Sequence, residues 1–241
     1  MAKLDHKTIE RKACFFRVNN GLSETEPINL KSLLMKLNIL TLFRPLSDNF
    51  SGMCLKDPEG NGFMMINSNN PKGRQHFTIA HELYHLCEET DIVAHKCNPG
   101  KGSKDPSEQN ADAFAANLLM PRVGLLALIP KREFQEKNVS IATILKIEHY
   151  YSVSRSALLF RLQNINAITK QDREKLGALS AVATARNYGY DTSLYKEGNE
   201  GLVIGDFGEK ARMLFELGKI SEGHYLELLD KICNDGIHQE N

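Results

Sequence analysis

The sequence has no excess of charge of either sign: Lys plus Arg number 30, Asp plus Glu number 30, and the formal net charge is zero. A balanced chain raises no global positive field, which sets aside functions that rest on bulk attraction to nucleic acid or to an anionic membrane surface. No apolar run approaches the roughly 18 residues of a membrane span. The opening stretch, MAKLDHKTIERKACFF, lacks the apolar core of a signal peptide, so the expected location is the cytoplasm, with no membrane as partner. Cysteines are scattered and odd in number, at Cys14, Cys54, Cys87, Cys97 and Cys233, with no CxxC pair. They read as reduced thiols and not as a disulfide framework. Internal repeats and low-complexity segments are also missing. What is left is an ordinary globular composition, 41% hydrophobic and 25% charged, in 241 residues. That length suits one large domain, or a domain plus a smaller helical one.

Along the chain, residues 1–22 alternate charge and hydrophobe and read as helical. PINLKSLLMKLNI (27–39) places Leu30, Leu33, Leu34 and Leu37 at helical spacing. LTLFRPL (40–46), SGMCLKD (51–57) and NGFMMIN (61–67) read as short strands, and the turn signal DPEGNG predicts a hairpin between the last two. The periodicity over 74–89 predicts a helix, followed by a polar loop to about 105. A second helix opens at DPSEQNADAFAANLLMP, with Asp105 as cap, Pro106 in the first turn and Pro121 at the end. Beyond 130 the chain is mostly helical, and the last fifty residues hold one strand, GLVIGD (201–206), and two helices.

Within the first of these helices stands HFTIAHELYHL (76–86). Ionisable groups in the middle of an apolar helix need a reason. Positions i and i+4 share a helix face, so His81 and His85 can aim two imidazoles at one metal ion. Glu82 is turned about 100° away, which puts its carboxylate beside that ion as a proton acceptor and not as a ligand. A catalytic site of this kind takes a third protein ligand and keeps one position open. Glu108 and Asp112, one turn apart on the next helix, are the candidates. Glu108 sits at the margin of the apolar stripe, yet three residues after Asp105 it can also close a capping box. Asp112 can accept the free N–H of a ligating histidine and so fix its tautomer.

FTIAHELYHL followed by EQNADAFAANLLMP resembles the ImmA/IrrE family of zinc metallopeptidases, the IrrE N-terminal-like domain. The likeness is strongest from Met64 to Pro121. It implies His81, His85 and Glu108 as ligands of Zn²⁺, with Mn²⁺ the alternative metal, and Glu82 as the catalytic glutamate. It also implies a protein substrate, a helix-turn-helix transcriptional repressor whose cleavage relieves repression in mobile elements or stress responses. Tyr84 departs from the family's glycine and is expected to narrow the cleft; His76 stands where arginine is usual. The expected fold class is α+β: a zincin-like metallopeptidase domain with a small antiparallel or mixed sheet and metal-binding helices, followed by a helical, helix-turn-helix-like C-terminal region. The expected divisions are 1–130 (motif block 64–121), 131–190 and 191–241.

Three further features carry expectations. His149, Tyr150 and Tyr151 can serve as transition-state donors to a carbonyl oxygen, or as ordinary core aromatics. IATILKIEHYYSVSRSALLFRL (141–162) has a helix-turn-helix outline, but with only Arg155 and Arg161 on its second helix, weak DNA binding or none is expected. Phe63–Ile66 is expected to be the edge strand along which a substrate lies. The alternative to a peptidase is a non-catalytic, metal-stabilised regulator that binds a repressor or DNA through its C-terminal helical region. The oligomeric state is not legible.

Overall fold

Most elements start and stop on local signals. The structure is a computed structural model and describes residues 5–89, 94–97 and 105–233, with backbone alone at 94–97, 231 and 233. Helix α1 (His6–Asn19) begins where the Asp5 carboxylate accepts the Thr8 N–H at 2.9 Å, and it buries Ile9, Ala13 and Phe16 along one face. Helix α2 (Leu30–Lys36) is capped by Asn29 and leads into β1 (Ile39–Arg44). The hairpin is present as β2 (Gly52–Lys56) and β3 (Gly62–Asn67). Its turn is closed by the Asn61 N–H on Asp57 at 2.7 Å, with Gly60 at φ 90°. Then come α3 (Lys72–Glu88), β4 (Ala94–Cys97) and α4 (Pro106–Leu119), the last capped by Asp105 with Pro106 in its first turn.

Among the described residues the sheet is mixed and five-stranded, in the order β4-β2-β3-β1-β5, where β5 is Val203–Ile204. β1 and β3 run parallel, with Leu40 opposite Phe63, while the other pairs are antiparallel. This corrects the expectation that Phe63–Ile66 forms an edge: β3 is paired on both sides. A hairpin read from sequence leaves its second strand open. Here the chain crosses over, so that β3 returns between β2 and the earlier β1, an arrangement local signals do not encode. The outer strands are β4 and β5. β4 falls inside the stretch expected to be loop; residues 90–93 and 98–104 of that stretch lie outside the described residues.

Helix α3 packs with one side on β2 and β3 and with another on α4, and α1 covers α4 in turn. Cys54, Met64 and Ile66 from the strands join Ile79, Leu83 and Leu86 of α3 and Phe114, Ala115 and Leu118 of α4 in one core. Phe16 of α1 meets Phe114 edge to face at 5.6 Å between ring centres. The core continues without a break past residue 130, taking in Ile144, Ile147, Val153, Leu158 and Leu162.

Those later residues lie on α7 (Ile141–Tyr151), on α8 (Arg155–Asn164) and, for Val153, in the turn between the two; α5 (Arg122–Leu128) and α6 (Lys131–Gln135) come before them. The turn between α7 and α8 falls at Ser152, in the left-handed conformation at φ 54°. It docks on the first half of α3: the His76 Nδ1–H donates to the Ser152 carbonyl at 2.8 Å. Both arginines of α8 face inward. Arg155 forms a two-pronged ion pair with the fully buried Glu148 and also reaches Thr184, while Arg161 donates to the Met120 carbonyl at 3.1 Å. The remaining helices are α9 (Lys170–Gly177), α10 (Ala181–Asn187), α11 (Phe207–Glu216) and α12 (Glu222–Cys233). Between α10 and α11 the chain straps the start of α3. The Lys72 N–H meets the Lys196 carbonyl at 2.9 Å, and the buried Gln75 side chain is held by Gly198 and Asn199, each at 2.8 Å. Among the described residues no single helix is long and apolar enough to cross a membrane.

The docking of the α7–α8 turn depends on a missing side chain. A Cβ at Gly73 would stand 2.8 Å from the Ser154 nitrogen and 3.0 Å from the Val153 carbonyl carbon. Both are backbone atoms, which cannot swing aside. Gly73→Ala gains some helix propensity but must push the turn off α3, and the expected net loss is roughly 1–2 kcal/mol. Urea denaturation of the two proteins measures it; equal midpoints would show that the turn is loosely seated.

Candidate metal centre

The helix α3 places His81 and His85 one turn apart, and both side chains are fully buried. Their Nε2 atoms stand 3.2 Å apart. Glu108, from the first turn of α4, spans the pair: one carboxylate oxygen lies 3.3 Å from His85 Nε2 and the other 3.6 Å from His81 Nε2. The carboxylate is therefore turned toward the imidazoles and not back to the helix cap, where Asp105 receives the Ser107 N–H at 3.0 Å. Donors placed about 2.0–2.1 Å around one zinc ion in a tetrahedron stand about 3.3–3.4 Å from each other. The observed separations match that edge.

The outer nitrogens say which atoms carry protons. His81 Nδ1 lies 2.9 Å from Asp112 Oδ1, and His85 Nδ1 lies 2.8 Å from Glu89 Oε2. An ionised carboxylate only accepts, so each Nδ1 is the N–H. In neutral rings both Nε2 atoms then present lone pairs to the same point, together with the Glu108 carboxylate. Three electron-rich groups converge, and a cation is what fits between them. Burial pulls the His81 imidazole down, but its bonds to Asp112 and Glu108, with Glu82 behind, outweigh that and hold it up at about 9. Proton and metal thus compete for the same lone pair.

Glu82 is fully buried next to the pair. Its carboxylate is met from the sheet side by the thiol of Cys54 on β2, itself wholly buried; burial, and then Glu82 alongside, push that thiol's pKa up. Gly52, two residues earlier, allows this approach: a Cβ there would come within 2.6 Å of Thr78 on α3.

The structure brings together His81, Glu82, His85, Glu108 and Asp112. It engages the other expected residues elsewhere. The Tyr151 hydroxyl donates to the Thr25 carbonyl at 2.7 Å, the Tyr150 hydroxyl donates to Glu26, and His149 stacks on Tyr190 at 4.6 Å and meets the Tyr195 hydroxyl. Tyr84 does not narrow a cleft. Its ring is fully buried in the α3–α4 interface, 5.5 Å from Phe114, with Asn110 donating to its hydroxyl. It points at α4, so its bulk fills core. Two participants escaped the sequence reading. Glu89 was legible in principle, since it stands four residues after His85, as His85 does after His81. Glu88, its neighbour, is drawn away to Lys12 on α1 at 2.6 Å. Cys54 carried no signal, because its placement depends on the sheet.

A small mixed sheet beneath a helix bearing two histidines and a glutamate, with a third carboxylate from the next helix, is the build of a zincin-like α+β domain. The family description "IrrE N-terminal-like domain", that of a peptidase family, matches residues 34–163, more than half of the chain, and the chain belongs to that family. Peptidases of this family typically depend on a metal, in keeping with the His81/His85/Glu108 cluster. No curated protein matches the chain.

Elemental analysis of the purified protein is expected to give one divalent cation per chain. His81→Ala and His85→Ala should abolish it and Glu108→Ala should weaken it severely. Resupplying the ion at a hundredfold over its dissociation constant should stabilise the metal-free protein by about 2.7 kcal/mol. A melting temperature indifferent to chelator would leave the convergence of donors without its cation.

Proposed function

We propose that the protein is a zinc-dependent endopeptidase of the cytoplasm that cuts a helix-turn-helix transcriptional repressor. The observation that carries the catalytic reading is the pairing of a tetrahedral donor set with a buried glutamate beside it. His81, His85 and Glu108 would hold the ion. When bound, zinc supplies Lewis acidity, polarising a scissile carbonyl and acidifying a water molecule. Glu82 takes the proton of the attacking water on its carboxylate and passes it to the departing amine. Glu82 rides on α3 one residue after His81, and the buried Cys54 thiol lies alongside its carboxylate. Asp112 and Glu89 hold the two imidazoles in the tautomer that leaves Nε2 available.

With β3 enclosed, an extended substrate is assigned to β4, which is outermost among the described strands. β4 pairs with β2, the strand whose Cys54 touches Glu82, and at four residues it is the longer of the two edges. A peptide added there gains backbone hydrogen bonds in register with the site. The repressor as substrate rests on family membership, and its cleavage would derepress genes of a mobile element or a stress response.

Co-expression with the cognate repressor should yield a discrete cleavage product, and chelator or Glu82→Gln should prevent it. Release of an intact repressor by the Glu82→Gln protein would show binding, not hydrolysis, to be the activity. Efficient digestion of casein would indicate a broad protease. DNA binding is expected to be weak and salt-sensitive, because Arg155 and Arg161 are engaged inside the fold. A nanomolar, sequence-selective shift at physiological salt would overturn that.

A further inference from the structure

The two donor-bearing helices are joined by more than the ion. Glu89 is the residue at which α3 ends: its backbone is extended, at φ −103° and ψ 139°, so the chain turns off the helix there. Its side chain nevertheless folds back one turn. One carboxylate oxygen accepts the His85 Nδ1–H at 2.8 Å, and the other accepts the hydroxyl of Ser107. Ser107 is the second residue of α4 and stands immediately before Glu108. Glu89 is 8% exposed, so this bridge runs through the interior and not across a solvated surface. The relay Ser107–Glu89–His85 therefore ties the end of α3 to the start of α4, beside both the second histidine and the glutamate.

We propose that Glu89 and Ser107 form a positioning pin that sets how tightly the centre holds its metal, Ser107 acting through Glu89. This rests on the metal reading above. A carboxylate on Nδ1 fixes the ring of His85 and makes Nε2 a better donor. Ser107 keeps that carboxylate from turning, and because Ser107 and Glu108 are adjacent, the same bond steadies the Glu108 ligand at its distance from His85. Asp112 does the corresponding work for His81 from within α4. The His85 relay differs in spanning the ends of both helices, so it governs their spacing as well as one ring.

The test uses the full chain. Zinc affinity is measured by competition with a chromophoric chelator, the visible absorption of the Co²⁺-loaded protein reports ligand geometry, and metal-free melting reports folding. Glu89→Ala should weaken zinc binding about 10–100-fold and alter the Co²⁺ spectrum. Glu89→Gln keeps an oxygen for Nδ1 but loses the charge, and should fall between it and the parent. Ser107→Ala should weaken binding by a smaller factor, with Ser107→Thr restoring it, and should add nothing once Glu89 is alanine. A purely structural role would lower metal-free melting and leave affinity and spectrum unchanged. That result, or independent multiplication of the Ser107 and Glu89 effects, overturns the pin. If Glu89→Ala does not fold, Glu89→Gln decides: affinity and spectrum equal to the parent's overturn the proposal. A parent protein that binds no zinc overturns the metal reading and the pin together, whereas a parent that binds and variants that bind equally overturn the pin alone.

Discussion

Two imidazole lone pairs and a carboxylate aimed at one point repel each other unless something positive stands between them. That convergence, with both imidazoles fully buried, is the constraint that the surrounding fold has to meet. It requires α3 and α4 to be held at a set spacing. It also requires each histidine to be told which nitrogen is to keep its proton. The fold meets the first demand with aromatic packing, Tyr84 against Phe114 and Phe114 against Phe16. It meets the second with carboxylates, one from each helix.

Carboxylates dominate the centre's surroundings. Glu82, Glu89, Glu108 and Asp112 lie around two neutral rings, and the result is a negative well that favours a divalent ion. The same carboxylates raise the pKa of the His81 imidazole against the pull of burial. The chain is neutral overall, so this field is local. It acts on an ion or a polarised carbonyl at the centre and does not draw charged partners from a distance.

What the sequence revealed and what it hid divide along a physical line. The spacing of His81 and His85, the Asp105 cap and the hairpin turn are local, and local rules state them. The helix pair at 141–164 was legible from its periodicity and from the break at Ser152. The position of β3 was not, because a parallel pair needs a crossover and sequence adjacency favours the simpler hairpin edge. Tyr84 looked like an obstruction since its position lies between metal-facing residues, yet one step along a helix turns a side chain by about 100°, here into α4. The aromatic triplet at 149–151 illustrates the same limit. Its chemistry suited an oxyanion, but the groups it meets, Thr25, Glu26 and Tyr195, come from distant parts of the chain. Arg155 and Arg161 could be counted from the sequence; only the structure shows them turned inward.

The stretch that marks the family and the stretch that folds are not the same length. The match begins at 34, but Ile9, Ala13 and Phe16 roof the core over α4, and the match ends at 163, ahead of the strap that holds Gln75 and of the β5 strand that borders β1. A fragment trimmed to the ancestral signature would expose apolar surface on one side and unseat the first turn of the histidine helix on the other. The segment that identifies the family borrows its rigidity from sequence on either side. The chemistry at the centre therefore depends on flanks that carry none of it.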